Sequence, residues 1–339
     1  MTILKYLKII LINFFFFFIF LILIDLLFGT WFKNDFSYRL SSERNIYRVY
    51  KFNFSNYSGQ SIYVRDQNGF RVKNQGIIPQ NINVVFTGGS TTNQKFLNFN
   101  NTIVSNLDND FKNLNFANAG VDGLSIKGHI NSFKYWFNKI ENLKPDYYIF
   151  YLGINDMSLL KNNTKSIDEF KESDLSGNIR EFLESNSFFY KKFRFLKVYL
   201  YLNFNIEKGA NIINKKGIVY GERNNKKFIK YEEIKLNNHF YLEYSKIYKN
   251  LLNQLTKIVR ENNSEPIYIT QISGHGMNQE LISAANSIIE HCEEFNLRCI
   301  NLAKQLDLEY NDFFDALHLN PAGSKKVADF LVKELNKIF

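Results

Sequence analysis

The sequence predicts an α/β protein built on a doubly wound parallel sheet and preceded by a membrane-spanning helix. From residue 83 onward, short runs of apolar and β-branched residues alternate with longer helix-like runs. The short runs end in glycine, serine, asparagine or aspartate, which favour sharp turns at the sheet edge. Near the N-terminus, 20 consecutive residues are almost wholly apolar. The alternation indicates the sheet, and the apolar run indicates the membrane helix.

The apolar run covers residues 9–28, the length that a helix needs to cross about 30 Å of hydrocarbon. Asn13 and Asp25 interrupt it, and Asp25 lies near one end, where a carboxylate can reach the headgroups. Trp31 and Phe32 follow at the expected interface. A cleaved signal peptide is the alternative. The run is long for a signal peptide and no small-residue cleavage site follows it, which favours an uncleaved single-pass anchor.

The chain divides by composition into an anchor at residues 1–29, a polar juxtamembrane segment at 30–80 and a large domain at 81–339. Basic residues flank the apolar run on both sides, so their count does not favour export. A large folded domain can be translocated regardless of such charges. We therefore expect an extracytoplasmic domain, either periplasmic or at the cell surface.

Each element of the domain is predicted from its pattern. The strands are expected at residues 83–87, 114–117, 146–152, 266–271 and 298–302. The helices are expected at residues 102–110, 126–141, 239–262, 278–295 and 322–338. Before them, residues 61–64 and 70–73 resemble two short strands joined by a turn at Gln67-Asn68-Gly69.

Residues 157–239 interrupt the alternation. They are rich in Lys, Asn, Phe and Tyr and show no clean period. They are predicted to form an inserted cap or long loop, a place where substrate selection is often found. A partly disordered insertion is the alternative.

Composition narrows the classes of partner. The net charge of +9 reads as a Lys-rich surface, because no compact basic cluster is interleaved with aromatic residues as a nucleic-acid site requires. Cys292 and Cys299 are the only cysteines and are either two thiols or one local disulfide. No Cys or His spacing indicates a metal site, so we expect neither metal nor cofactor.

Four polar segments fall where the predicted strands end or in loops beyond them. They are Gly88-Gly89-Ser90, Asn118-x-Gly120-x-x-Gly123, Gly153-x-Asn155-Asp156 and Asp315-x-x-His318. In a doubly wound sheet such edges converge on one crevice. Ser90 is the predicted nucleophile, His318 its base, and Asp315 the carboxylate that orients the imidazole. The Ser90 and Gly120 N–H groups and the Asn155 amide are the predicted oxyanion donors.

Structural interpretations stay open beside these roles. Ser90 could be a helix N-cap and Asp315 a capping residue. Asp156 is predicted to brace its loop or cap a helix, while Asn118 and Gly123 are predicted to shape a turn. His275 follows a strand, but a surface loop position is equally compatible with the sequence, so it is left out of the catalytic set. The competing nucleophile-elbow pattern G-x-S-x-G fails because Thr92 occupies its final glycine.

Taken in order, the four segments resemble the motif blocks of the SGNH hydrolases, a branch of the GDSL-like esterases. The four name-giving residues match Ser90, Gly120, Asn155 and His318, and the resemblance covers the chain from about residue 83 to its end. It implies a three-layer α/β/α fold resembling flavodoxin and metal-free acyl-ester chemistry. The aspartate that usually precedes the serine is Gly89 in this chain.

Similar variants with one N-terminal membrane helix tend to accompany cell-surface glycan synthesis. The resemblance thus implies an esterase or O-acyltransferase acting on acetyl or other acyl esters of a glycan. A small ester is also a possible substrate. A catalytically silent scaffold or glycan-binding member of a polysaccharide assembly complex is the alternative.

Overall fold

The computed structural model describes residues 2–32, 44–54, 57–74, 80–160, 183, 186–204, 212–216 and 227–339. Its first helix, α1 (Thr2–Phe28), is apolar along its length, as the composition predicts. Residues Lys5–Phe28 have a mean hydropathy of 2.9, and none of them is buried. By length and composition this helix could cross a membrane, and a signal sequence would have the same character.

Two sheets and a series of helices follow α1. The strands are β1 (Tyr47–Phe54), β2 (Tyr57–Val64), β3 (Val84–Gly88), β4 (Phe116–Asn118), β5 (Tyr147–Leu152), β6 (Ile212–Lys216), β7 (Glu265–Thr270) and β8 (Arg298–Ile300). The remaining α-helices are α2 (Ser90–Asn93), α3 (Ile103–Asp110), α4 (Ile126–Tyr135), α5 (Phe188–Phe204), α6 (Asn238–Glu261), α7 (Gln279–Phe295), α8 (Leu302–Gln305) and α9 (Pro321–Leu335). The predicted strands and helices of the domain are all present, although the predicted helix at 126–141 ends at Tyr135.

The larger sheet has the order β4-β3-β5-β7-β8, and every neighbouring pair is parallel. Alternate residues of β3 point to opposite faces, as strand geometry requires. Val84 and Phe86 pack in one core cluster with α3 and α9, whereas Val85 packs in the other with α4 and α6. The predicted doubly wound α/β/α architecture is therefore confirmed.

The smaller sheet, β2-β1-β6, joins distant parts of the sequence. Strands β1 and β2 are antiparallel, and β6 pairs with β1 in parallel. The turn predicted at residues 67–69 is present, with Gly69 at φ +87°. Arg65 and Arg71 form an antiparallel bridge across it, and the Val72 N–H donates to the Val64 carbonyl at 3.1 Å. The predicted hairpin is thus present in short form, and β2 pairs along its length with β1, a partner that was not predicted.

Residues that were predicted to form a juxtamembrane segment pack on the domain. The rings of Phe54 and Phe314 stack with centroids 5.0 Å apart. The ring of Tyr57 also stacks on that of Phe314, with centroids 5.4 Å apart. Phe96, directly after α2, joins this aromatic cluster. Burial of these rings ties β1 and β2 to the loop that carries His318.

About half of the predicted insertion at residues 157–239 lies outside the described residues. Its described part supplies α5, whose Val198 packs against Val49 of β1, and β6, which extends the smaller sheet. In these residues the insertion adds to the smaller sheet.

A disulfide joins Cys292 at the end of α7 to Cys299 in β8, with the Cα atoms 6.1 Å apart. Of the two states compatible with the sequence, the structure has the bonded one. The bond links a helix to the edge strand that follows it, seven residues later in the chain.

We expect the full chain, denatured without reductant, to incorporate no maleimide, because it has no cysteines beyond this pair. After reduction, both thiols should react. Mass spectrometry of the labelled protein measures this difference, and labelling without reductant would contradict the bonded state.

Candidate active site

Ser90 begins α2 immediately after β3 and two glycines. The turn leaves no room for side chains. A Cβ at position 88 would lie 2.2 Å from Thr92 Oγ1, and one at position 89 would lie 1.8 Å from Asn155 Nδ2. An aspartate in place of Gly89 would therefore require Asn155 to move. Glycine at this position lets the amide of Asn155 lie directly beside the turn that presents Ser90.

The structure brings Ser90 together with two side chains of a loop that is distant in the sequence, those of Asp315 and His318. The distance from Ser90 Oγ to His318 Nε2 is 2.8 Å. On the other side of the ring, His318 Nδ1 lies 2.8 Å and 3.0 Å from the two Asp315 carboxylate oxygens. Asp315 and His318 are buried, at 2% and 6% exposure, whereas Ser90 is partly exposed. This arrangement leaves the serine accessible and the two supporting groups shielded.

Asp315 also holds the backbone of its own loop. Its Oδ1 accepts hydrogen bonds from the N–H groups of Leu317 and His318, at 2.8 Å and 2.7 Å. Asp315 therefore orients the imidazole and braces its own loop, whereas Asn320 caps α9, so the helix-capping interpretation of Asp315 is wrong. On the imidazole face, the ring of Phe314 stacks parallel to that of His318, with centroids 5.5 Å apart. The ring is thus fixed by the carboxylate at one edge and by Phe314 on one face.

The three predicted oxyanion donors lie on neighbouring loops, but two of them have partners. The Gly120 N–H donates to Asn118 Oδ1 at 3.0 Å, and Asn155 Nδ2 donates one hydrogen bond to the Leu124 carbonyl at 3.0 Å. Ser90 is the first residue of α2, so its N–H has no partner within that helix.

Packing explains the glycine at position 120. A Cβ there would lie 2.3 Å from the backbone nitrogen of Asn93. Glycine is therefore needed for the contact between this loop and α2, a reason that the sequence did not reveal.

The other polar residues of the four segments brace the site. Asp156 accepts the Ile126 N–H at the start of α4 and the Tyr248 hydroxyl, both at 2.8 Å. Gly123 has φ +74°, in the region that favours glycine, and Asn118 donates to the Thr92 carbonyl at 3.1 Å. These contacts agree with the bracing and turn-forming interpretations made from the sequence.

Sequence reasoning missed a glutamine that connects two of the segments. Gln271, at the end of β7, donates to Thr91 Oγ1 and accepts from the Ile154 N–H, each at 2.8 Å. Close by, Gly274 donates its N–H to the Ala316 carbonyl, and a Cβ at 274 would lie 2.4 Å from the Asp315 carbonyl. The position after a core strand was the only available signal for either residue.

Two buried arginines were also missed. Arg71 donates to the carbonyls of Asn93, Gln94 and Leu97 at the end of α2. Arg65 donates to the Gly120 carbonyl at 2.7 Å and to Asn93 Oδ1 at 3.3 Å. Burial lowers the pKa of Arg71 to about 10, which leaves it charged at neutral pH. Both side chains come from the segment before the larger sheet, and no motif marks them.

A small pocket adjoins Ser90. Phe96, Phe314 and His318 line it together with Lys95 and Asp122, which form an ion pair. The space in this pocket that can hold the centre of a water-sized sphere is about 10 Å³, which is room for about one water molecule. Burial by itself would raise the pKa of Asp122, but the Lys95 ammonium and hydrogen bonds from Lys95 and Asn93 lower it. The pocket thus has aromatic walls and a neutralised ionic rim.

The other histidines have separate positions. His129 is buried and lies 3.1 Å from Thr87 Oγ1 through Nδ1, and burial lowers its pKa to about 3. His275 is partly buried in the loop at Gly274, where its carbonyl accepts from Ile229. Within the described ranges, no group of three or more Cys, His, Asp or Glu residues is placed to hold a metal ion.

Replacement of Arg71 by Met should lower the free energy of unfolding by about 2–5 kcal/mol, because it leaves buried carbonyls without their donors. Thermal unfolding of the full chain in detergent measures the effect. Lys73→Met is the matched control, since Lys73 is exposed and should change stability by about 0.5 kcal/mol or less. Equal melting of both variants would contradict a stabilising role for Arg71.

Among solved structures, the chain is similar to LAE5, an alpha/beta hydrolase enzyme from the metagenome of Lake Arreo (14% identity, TM-score 0.42, covering 76% of this chain and 97% of that one). It is also similar to a lipolytic G-D-S-L protein from Veillonella parvula (15%, 0.41, 76% and 97%). A third is a catalytic mutant of the acetylxylan esterase Axe2 from Geobacillus stearothermophilus (12%, 0.40, 76% and 95%).

A comparison with curated protein sequences gives no match. The sequence model of one family, described as GDSL-like Lipase/Acylhydrolase, matches residues 55–331, most of the chain. This span includes β2 and the buried arginines as well as all four polar segments. The chain therefore belongs to the GDSL-like lipase/acylhydrolase family.

Proposed function

We propose that this chain is a membrane-anchored serine esterase or O-acyltransferase that removes or transfers a small acyl group through an acyl-serine intermediate. Ser90 Oγ attacks the acyl carbon while its proton passes to His318 Nε2, and the alcohol leaves with that proton. Water or a sugar hydroxyl then attacks the acyl-serine and gives its proton to His318 Nε2. The bond between the acyl carbon and Ser90 Oγ breaks, Oγ takes the proton back, and the product is a free acid or a new ester. The 2.8 Å contact between Ser90 Oγ and His318 Nε2 is the observation that carries the proposal.

The contacts of Asp315 support the direction of proton movement. Both carboxylate oxygens lie within hydrogen-bond distance of His318 Nδ1, so the proton of the neutral ring belongs on that nitrogen. Nε2 is then the acceptor that faces Ser90. A charged ring, once formed, is stabilised by the adjacent carboxylate.

For all three predicted donors to bind the oxyanion, the Gly120 N–H must change its hydrogen-bond partner. The Ser90 N–H and the second hydrogen of Asn155 Nδ2 are available to a developing oxyanion. The Gly120 N–H would have to share its bond with Asn118 or release it as the substrate oxygen arrives. We therefore propose Ser90 and Asn155 as the first two donors and Gly120 as the third.

Several observations support a small acyl group on an extracytoplasmic glycan. The pocket beside Ser90 has aromatic walls and room for about one water-sized group, which suits the methyl group of an acetyl ester better than a long acyl chain. The apolar α1 supports attachment to a membrane. The Cys292–Cys299 disulfide supports a location outside the reducing cytoplasm. The glycan itself is proposed from the kinship of similar anchored variants described above.

Replacement of Ser90 by Ala should lower the hydrolysis of p-nitrophenyl acetate by about 10³-fold or more, because it removes the nucleophile. The measurement uses the full chain in detergent. Ser125→Ala is the control, since Ser125 has its own function as the N-cap of α4, where its side chain accepts from the Lys127 N–H. Unchanged activity in Ser90→Ala would refute the mechanism.

A fluorophosphonate serine probe separates the enzyme from a silent glycan-binding scaffold. The native chain should react with the probe at Ser90, and Ser90→Ala should not. A native chain that binds glycan but remains unlabelled would favour the scaffold.

Phe96→Leu should widen the pocket and raise the rate ratio of butyryl to acetyl p-nitrophenyl esters several-fold, since leucine leaves space where the ring was. The control is Phe133→Leu, which removes a similarly buried ring from the core cluster formed with α4 and α6, away from the pocket. Both variants lose packing, so a change common to both would show an effect of stability. A preference of the native chain for long acyl esters would contradict the proposed pocket.

A further inference from the structure

Helix α5 has one buried face, and exposed apolar side chains, Phe195, Tyr199 and Leu202 among them, cover much of its remaining surface. Arg194, Val198 and Tyr201 are buried, and Tyr201 Oη donates to Gln60 Oε1 of β2 at 3.2 Å. The opposite side carries residues of one helical stripe, with 37%, 57%, 47% and 63% of their surfaces exposed: Phe189, Phe193, Leu196 and Phe204. Large aromatic side chains in such a stripe mark a surface that binds an apolar partner.

The charge of α5 indicates the kind of partner. Its 17 residues include three lysines and one arginine and no Asp or Glu. Lys192 and Lys197 lie on the two flanks of the stripe, and Lys197 Nζ lies 4.2 Å from the centre of the Phe193 ring. Lysines that flank an apolar stripe can extend along it and place their ammonium groups among anionic headgroups.

Contacts with α1 place α5 at the end of the candidate membrane span. Asp25 Oδ1 accepts from Ser187 Oγ and from the Phe189 N–H, both at 2.9 Å, at the start of α5. The Thr30 N–H donates to the Asn186 carbonyl at 2.9 Å. Asp25, which interrupts the apolar run in the sequence, therefore anchors a second helix where the span ends.

From these contacts we propose that α5 lies in the headgroup region of the membrane, with its Phe189–Phe204 stripe in the outer acyl chains and its lysines on anionic lipids. Aromatic residues favour this boundary, and a basic helix is attracted to a negatively charged surface. The helix would thereby hold the domain against the bilayer at a second place besides α1. This inference assumes that α1 is inserted, which resistance of the full chain to alkaline extraction from membranes tests separately.

The experiment places an environment-sensitive fluorophore at Phe193→Cys in the full chain, with the native cysteines left as their disulfide. The chain is reconstituted into phosphatidylcholine vesicles with or without phosphatidylglycerol. We expect blue-shifted emission and quenching by phospholipids that carry a nitroxide high on the acyl chain. Glu293→Cys, on an exposed position of α7, is the matched control and should stay in a water-like environment.

In vesicles with phosphatidylglycerol, Lys192→Gln and Lys197→Gln should each lower the ratio of lipid-embedded to water-exposed label about fivefold. A label at 193 that is as exposed to water as the label at 293 would overturn the proposal. If shielding of the label at 193 from water increases with protein density and not with the content of phosphatidylglycerol, the stripe binds a second copy of the chain and the proposal is overturned. Retained alkaline resistance would show that such a failure concerns α5 and not α1.

Discussion

The position of Ser90, the proposed nucleophile, depends on the two buried guanidinium groups of Arg65 and Arg71. Helix α2 is a single turn long, so it cannot hold Ser90 in place by its own hydrogen bonds. Arg71 instead gathers the carbonyls that follow α2, and Arg65 joins α2 to the carbonyl of Gly120. Charge-assisted hydrogen bonds contribute about 1.5–3 kcal/mol each when the groups would otherwise be buried without partners. Two residues that take no part in the proposed chemistry, Arg65 and Arg71, therefore hold the loops that form the site.

The same segment of chain supports the imidazole from the other side. Phe54 and Tyr57 stack on Phe314, and Phe314 stacks on His318. A continuous set of aromatic contacts thus runs from the smaller sheet to the imidazole. Asp315 adds the directional part, since its carboxylate holds both the ring and the backbone of the loop. The smaller sheet and its flanking residues are for this reason part of the site's structure, although they lie outside the doubly wound core.

The proposed attachment to the membrane and the proposed catalysis both involve this smaller sheet. Strand β1 contacts α5 on one side through Val49 and Val198, while its aromatic residues contribute to the cluster beside His318. Helix α5 is in turn bonded to Asp25 of α1. A single short sheet therefore connects the candidate membrane span to the loop that carries the imidazole, which relates the proposed lipid contact to the proposed chemistry.

The sequence by itself determined the features that depend on local pattern. Apolar period and turn chemistry predicted the parallel sheet, its helices and the apolar N-terminal helix, and residue type predicted Ser90, Asp315 and His318 as a possible set. Only the tertiary structure decided what depends on contacts between distant segments: the distance between Ser90 and His318, the disulfide, and the pairing of β2 with β1. Arg65, Arg71 and Gln271 belong to this second class. Each of them bonds groups from distant segments, many of them backbone groups, and the sequence around a residue does not indicate which distant groups it will bond.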